Sequence, residues 1–308
     1  SAQSGDTMLA ARFVEGLGFT ATTITGAAII VRVTANRDRR WALGIWSSYV
    51  PVGFALMLIF GALILEAFGW RILWHVCTVL TLAWAALVWA VTRGWQRRQG
   101  TAVAVGTLVG NLRRTLGTTG AVLVACCFAV YAAQHIGMMN WLPTYVTEVY
   151  GATPFFAAVV TAMVLAFNAG GNWLTAMLMN RGSAVWVLLL TGAVGMGATE
   201  IVIFAGGLPP EARFGVILLF GIFGGLIPAA AIGSVATYTP SSVQTGTMNG
   251  LMVMGTNTGQ LFGPPALAAA RESAGSWEGA LWLVLTLAAV GTVLALLSRP
   301  LERRAALN

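Results

Sequence analysis

Apolar runs long enough to cross a bilayer alternate with short polar gaps along the whole chain. Nine such runs are read, at 8–31, 42–65, 72–92, 119–142, 154–178, 183–205, 213–236, 246–270 and 277–298. A hydrocarbon core needs roughly 20 apolar residues in helical form, and only helices or closed barrels satisfy their backbone groups there. Ten-residue segments of alternating polarity are absent from the sequence, so the pattern predicts an all-α polytopic membrane protein with nine spans. The gaps are short except for residues 93–118, which divide the spans into three and six. The units expected are therefore 1–92, a partial three-helix unit, and 119–298, a six-helix bundle. Residues 93–118 form a basic connector, part of it an amphipathic helix at the membrane surface, and 299–308 form a tail.

Charge adds a direction. All 17 basic residues are arginine. If the first span enters from outside, one side of the membrane holds Arg32, Arg37, Arg39, Arg40, Arg93, Arg97, Arg98, Arg113, Arg114, Arg181, Arg299, Arg303 and Arg304. The other side keeps only Arg12, Arg71, Arg213 and Arg271. Positive residues stay on the cytoplasmic side, so the N-terminus is expected outside and the C-terminus inside, across a bacterial inner membrane. The net charge of +7 follows from this topology and requires no nucleic-acid partner.

Composition agrees with the pattern. The hydrophobic fraction is 57% and the charged fraction 9%, against about 25% charged in soluble domains. Mean hydropathy is +0.80. Cys77, Cys126 and Cys127 lie inside apolar runs and read as buried structural thiols. No metal-ligand spacing appears, His75 and His135 are far apart in sequence, and no cofactor is implied. No nucleophile elbow or catalytic carboxylate pair suggests an enzyme. The opening SAQSGDT lacks the basic segment that begins a signal peptide.

A weak internal repeat accompanies the division. Shifting the chain by 206 residues sets Gly18 on Gly224, Gly44 on Gly250 and Gly53 on Gly259, and one further residue brings Trp70 onto Trp277. Spans one to three thus echo spans seven to nine, as in transporter folds built from duplicated bundles.

Several motifs resemble those of the major facilitator superfamily. Arg12-Phe-Val-Glu15-Gly16-Leu-Gly18 is similar to its fourth-helix motif, and Arg32, Arg37, Arg39, Arg40, Ala42, Leu43 and Gly44 are similar to its loop into helix five. Gly69-Trp70-Arg71 resembles the start of helix six, Asn180-Arg181-Gly182 a reduced loop between helices eight and nine, and Gly255, Gly259, Gly263 and Pro264 helix eleven. On this likeness the nine spans correspond to helices four to twelve, with helices one to three missing. Pro51 and Gly53 stand where the antiporter pattern expects a Gly-Pro pair, and the run from Ala42 to Trp74 resembles a cyanate-permease-like branch.

The resemblance implies alternating access, with the solute site lined by spans one, two, four, five, seven and eight. Polar residues inside those spans are the candidates. They are Tyr49 in span two, Tyr131, Gln134 and His135 in span four with Met138 on the same face, and Asn168 and Asn172 in span five. Span eight adds Asn249, Thr256 and Gln260 on one face, with Asn257 beside them. Together they describe an uncharged, hydrogen-bonding cavity for a small polar or weakly anionic solute. Asn and Gln in membrane helices also serve as interhelical glue, which remains the alternative for each.

Arg12 and Glu15, at i and i+3, are read as a coupling or gating pair, or as a structural ion pair. Glu200 is expected to face outward at the interface. Gly221 and Gly225, like the span-eight glycines, are expected to let helices approach closely. The expected function is proton-coupled import of a small solute by a monomer in the lipid bilayer. Proton antiport and a non-transporting sensor or assembly role are the alternatives.

Overall fold

The computed structural model describes residues 4–35, 42, 46, 49–94, 105–205, 207–238 and 245–305. Arg37, Arg39, Arg40, Leu43, Gly44, Arg97 and Arg98 lie outside them. Among the described residues, each of the nine expected spans falls on helix. Helix α1 is Gly5–Val33, opened by Ser4, whose hydroxyl accepts the Thr7 N–H at 3.3 Å. Its Thr20, Thr22, Thr23 and Thr25 hydroxyls donate to carbonyls one turn back, at 2.7–2.9 Å. A threonine-rich helix thereby satisfies its hydroxyls internally.

Helix α2, Tyr49–Thr92, runs 44 residues and carries spans two and three. At about 1.5 Å per residue a straight helix of that length would be about 66 Å, twice a hydrocarbon core. It is not straight. Gly69 has φ 78° and ψ 171°, and a Cβ placed on Gly61 would sit 3.9 Å from Leu73 Cδ2. Those two residues would be about 18 Å apart along one helix, so the chain folds back at Gly69. Glycine at that positive φ avoids the Cβ clash any other residue would meet.

Helix α3 is Val105–Gly117, α4 Thr119–Tyr150, α5 Pro154–Asn180, α6 Val185–Phe204 and α7 Pro210–Gly233. Short α8, Val235–Tyr238, precedes α9, Thr245–Ala274; a 3-10 turn at Glu278–Ala280 leads into α10, Leu281–Ala305. Six of the described helices are long and apolar enough to cross a membrane. α3 is the amphipathic helix expected in the connector. Asn111 and Thr115 are buried, while Val109, Leu112, Leu116, Arg113 and Arg114 are exposed.

The core lies among α4 to α10. α4 packs on α9 and α10, α5 on α7, and α6 on α7 and α10, while α2 reaches this body through α5. Small residues set the spacing. A Cβ on Gly255, Gly259 or Gly263 would strike the carbonyls of Ala125, Ala129 or Ala133, so α9 lies directly against the α4 backbone. The same holds between α5 and α7, where Gly221, Gly225 and Gly171 face the carbonyls of Val164, Asn168 and Ile222. By contrast α1 leaves Leu9, Phe13, Val14 and Leu17 exposed within this chain.

The cysteine expectation needs correction: Cys127 is buried, Cys77 is half-buried and Cys126 is exposed, all as free thiols. Neighbours on a helix point about 100° apart, so Cys126 and Cys127 cannot both face the core.

Candidate functional site

Four expected site residues meet in one cluster. α4 supplies Tyr131 and His135, one turn apart, and α5 supplies Asn168 and Asn172, also one turn apart. All four are buried. Asn168 Nδ2 donates to the Tyr131 hydroxyl at 3.4 Å and to His135 Nε2 at 3.2 Å. Asn172 Nδ2 donates to Asn168 at its backbone carbonyl, 3.0 Å, and its Oδ1, 3.2 Å. The His135 ring stacks between Tyr131 and Phe220, with centroids 5.2 and 5.4 Å away. Gly224 of α7 makes room for it, since a Cβ there would come within 2.6 Å of His135 Cδ2.

With Nε2 accepting from Asn168, a neutral His135 carries its proton on Nδ1. That Nδ1 has no partner, and neither does Asn172 Oδ1. The buried cluster therefore holds one unused donor and one unused acceptor, each costing about 1–3 kcal/mol if left bare.

Gln134 does not join this cluster. One residue before His135, it is turned toward α6 and α10, where its Nε2 donates to Glu200 Oε2 and lies 3.4 Å from the Val284 carbonyl. The expectation for Glu200 is overturned as well. It is fully buried instead of facing the interface, because α6 is enclosed by α7, α10 and Gln134 of α4.

The α9 candidates scatter. Thr256 donates back to the Val253 carbonyl at 2.9 Å, Asn249 is half-buried, and Gln260 and Asn257 are exposed. Asn257 lines a cavity of about 430 Å³ between α9 and α1, with Thr20, Val253, Thr258 and Leu261. Tyr49 takes a different place: its hydroxyl is 3.1 Å from Thr23 Oγ1 and its ring stacks on Trp46, which ties the start of α2 to α1.

Arg12 and Glu15 form the expected ion pair at 2.9 Å, with side chains 45% and 56% exposed. Such an exposed pair contributes little to stability. Arg12 also lies 4.2 Å over the Trp74 ring, joining α1 to the second arm of α2.

Two arrangements escaped sequence reasoning. Glu302 in the last turn of α10 accepts the N–H groups of Val185 at 2.7 Å and Trp186 at 2.9 Å, capping α6 from another helix. Glu148 receives Arg271 at 2.7 Å and Trp277 Nε1 at 2.9 Å, closing one end of the α4–α9 pair. Ala184, with no capping side chain before α6, was the only local sign of the first.

Comparison with known proteins gives this geometry its context. A family model described as Major Facilitator Superfamily matches residues 1–210. A probable nitrate/nitrite antiporter of Thermus thermophilus is 26% identical over 257 residues, covering 75% of this chain and 56% of the relative. A probable 4-methylmuconolactone transporter of Cupriavidus pinatubonensis is 26% identical over 251 residues, covering 78% of this chain and 55% of the relative. The chain thus spans about half the length of the curated relatives it matches. A crystal structure of the E. coli fucose:proton symporter superposes with a TM-score of 0.67 at 18% identity, covering 91% of this chain and 74% of that one. A second, in the outward conformation, gives 0.66 at 17% identity, covering 91% and 73%. With its apolar helices, its fold and a family match over more than half its length, this multi-pass membrane protein belongs to the Major Facilitator Superfamily of transporters.

Proposed function

We propose that the protein is a secondary active transporter that moves a small polar solute by alternating access, importing it with protons. The observation that carries this reading is the buried cluster of Tyr131, His135, Asn168 and Asn172, with its unpartnered His135 Nδ1–H and Asn172 Oδ1. A solute offering one acceptor and one donor would satisfy both groups, and a hydrogen bond to a buried polar group is favourable. The relatives' names support a small solute: nitrate or nitrite, a lactone and fucose. No arginine or carboxylate joins the cluster among the described residues, which favours a neutral or weakly anionic solute.

The proposed working parts are residues 1–92 as half of one bundle and 119–298 as the other, joined by 93–118. The glycine faces of α5, α7 and α9 allow helices to slide without gaps opening. Arg12 and Glu15, with Trp74, form a gating contact on the outer side, and the arginine-rich face is cytoplasmic. The test is uptake into proteoliposomes from a panel holding a sugar, a lactone and nitrate. The reading predicts uptake of at least one, raised by an inward proton gradient. Absence of uptake across the panel and related solutes would overturn it.

A further inference from the structure

Helix α3 presents a face that none of the described residues covers. We propose that this face binds anionic phospholipid, with Val109, Leu112 and Leu116 entering the bilayer and Arg113 holding a headgroup phosphate.

In α3 the usual relation between burial and polarity is reversed. The helix packs on α4 and α9, and its buried residues are Asn111 and Thr115. Val109, Leu112 and Leu116 are exposed. The Thr115 hydroxyl donates to the Asn111 carbonyl at 2.9 Å, so it is satisfied without water. A helix between a protein core and water turns its apolar side inward. The apolar side of α3 is turned outward, toward a medium less polar than water. The bilayer is at hand, because the membrane-spanning α4 begins at Thr119, two residues after α3 ends at Gly117.

The positions round the helix fit that placement. At about 100° per residue, Val109, Leu112 and Leu116 form a stripe about 60° wide. Asn111 and Thr115 lie about 110° from its centre on one side, against the protein. Arg113 lies about 65° from it on the other side, and Arg114 about 165° away, nearly opposite. With the stripe among acyl chains, Arg113 stands at the level of the headgroups and Arg114 points to water.

Charge selects the lipid. No acidic residue occurs between Arg93 and Glu148. Arg113 and Arg114 are exposed, and neither makes an ion pair among the described residues. A phosphate on a lipid of net negative charge supplies the missing counter-ion at the depth of Arg113. One arginine close to an anionic membrane surface strengthens binding about fivefold.

The test uses the full chain with its native cysteines replaced by serine and Leu116→Cys labelled with bimane. It is placed in phosphatidylcholine nanodiscs that carry a minor fraction of lipid with a nitroxide on its acyl chain. That lipid is either phosphatidylglycerol or phosphatidylcholine. Both should quench the bimane, and phosphatidylglycerol should quench about two- to fivefold more at equal mole fraction. Arg113→Gln should bring the two lipids to parity, while Arg114→Gln keeps the preference. Absence of quenching by either lipid would overturn the proposal, as would equal quenching by both with Arg113 in place. Equal loss of preference in the two arginine variants would reduce the site to general surface charge and overturn it. Loss of the preference in inorganic phosphate, but not in chloride of the same ionic strength, would assign the arginine to free phosphate instead. The comparison of the two lipids is made on one folded protein, so it stands even if an arginine variant does not fold. It requires no solute, so its outcome is separate from that of the uptake test.

Discussion

Asn168 is the residue on which the cluster turns, because it bonds both α4 partners and accepts from Asn172. Asn168→Ala should lower stability by about 1–3 kcal/mol, as expected when buried groups lose their partners. Thermal unfolding in detergent measures this; an unchanged midpoint would show the bonds are idle. Gly225→Ala should cost a similar amount, about 1–3 kcal/mol, by forcing a methyl onto the Asn168 carbonyl. Gly170→Ala is its control: nothing lies within 4 Å of a Cβ there, so its effect should stay within about 0.5 kcal/mol. The i, i+4 spacing of Asn168 and Asn172 was legible in the chain, as was that of Tyr131 and His135. That Gln134 would turn to Glu200 was not, because a neighbour's direction depends on which helix packs against it.

At the scale of elements, the spans were readable because long apolar runs admit few other solutions in a membrane. The fold-back at Gly69 was legible as well, since it falls in the gap at 66–71 that holds Glu66 and Arg71. The cap on α6 was invisible: 302 and 185 are distant in sequence, and only tertiary packing brings Glu302 to two free N–H groups. Glu302→Ala should destabilise by about 1–2 kcal/mol. Amide exchange at Val185 and Trp186 should quicken more than elsewhere in α6, and uniform exchange along the helix would contradict the cap.

For the whole molecule, the arginine asymmetry predicts that α3 and the 3-10 turn lie on opposite sides of the membrane. With the native cysteines replaced by serine, Arg113→Cys should react with an impermeant thiol reagent only from the cytoplasmic face, and Arg271→Cys only from the outer face. Labelling of both from one side would reverse or break the topology. The scattered placement of Asn249, Thr256, Asn257 and Gln260 also belongs to this scale. Sequence puts them on one helix, but which faces meet a cavity depends on how α9 lies between α1 and α4. The central claim is that the Tyr131–His135–Asn168–Asn172 cluster holds the solute. It is tested most directly by comparing proteoliposome uptake by the wild type and by Asn168→Ala, at matched amounts of folded protein. The account predicts at least a tenfold loss in Asn168→Ala, on the order of 1.4 kcal/mol, with an unaltered rate in the remote Gln260→Ala. Equal uptake by the wild type and Asn168→Ala would contradict it.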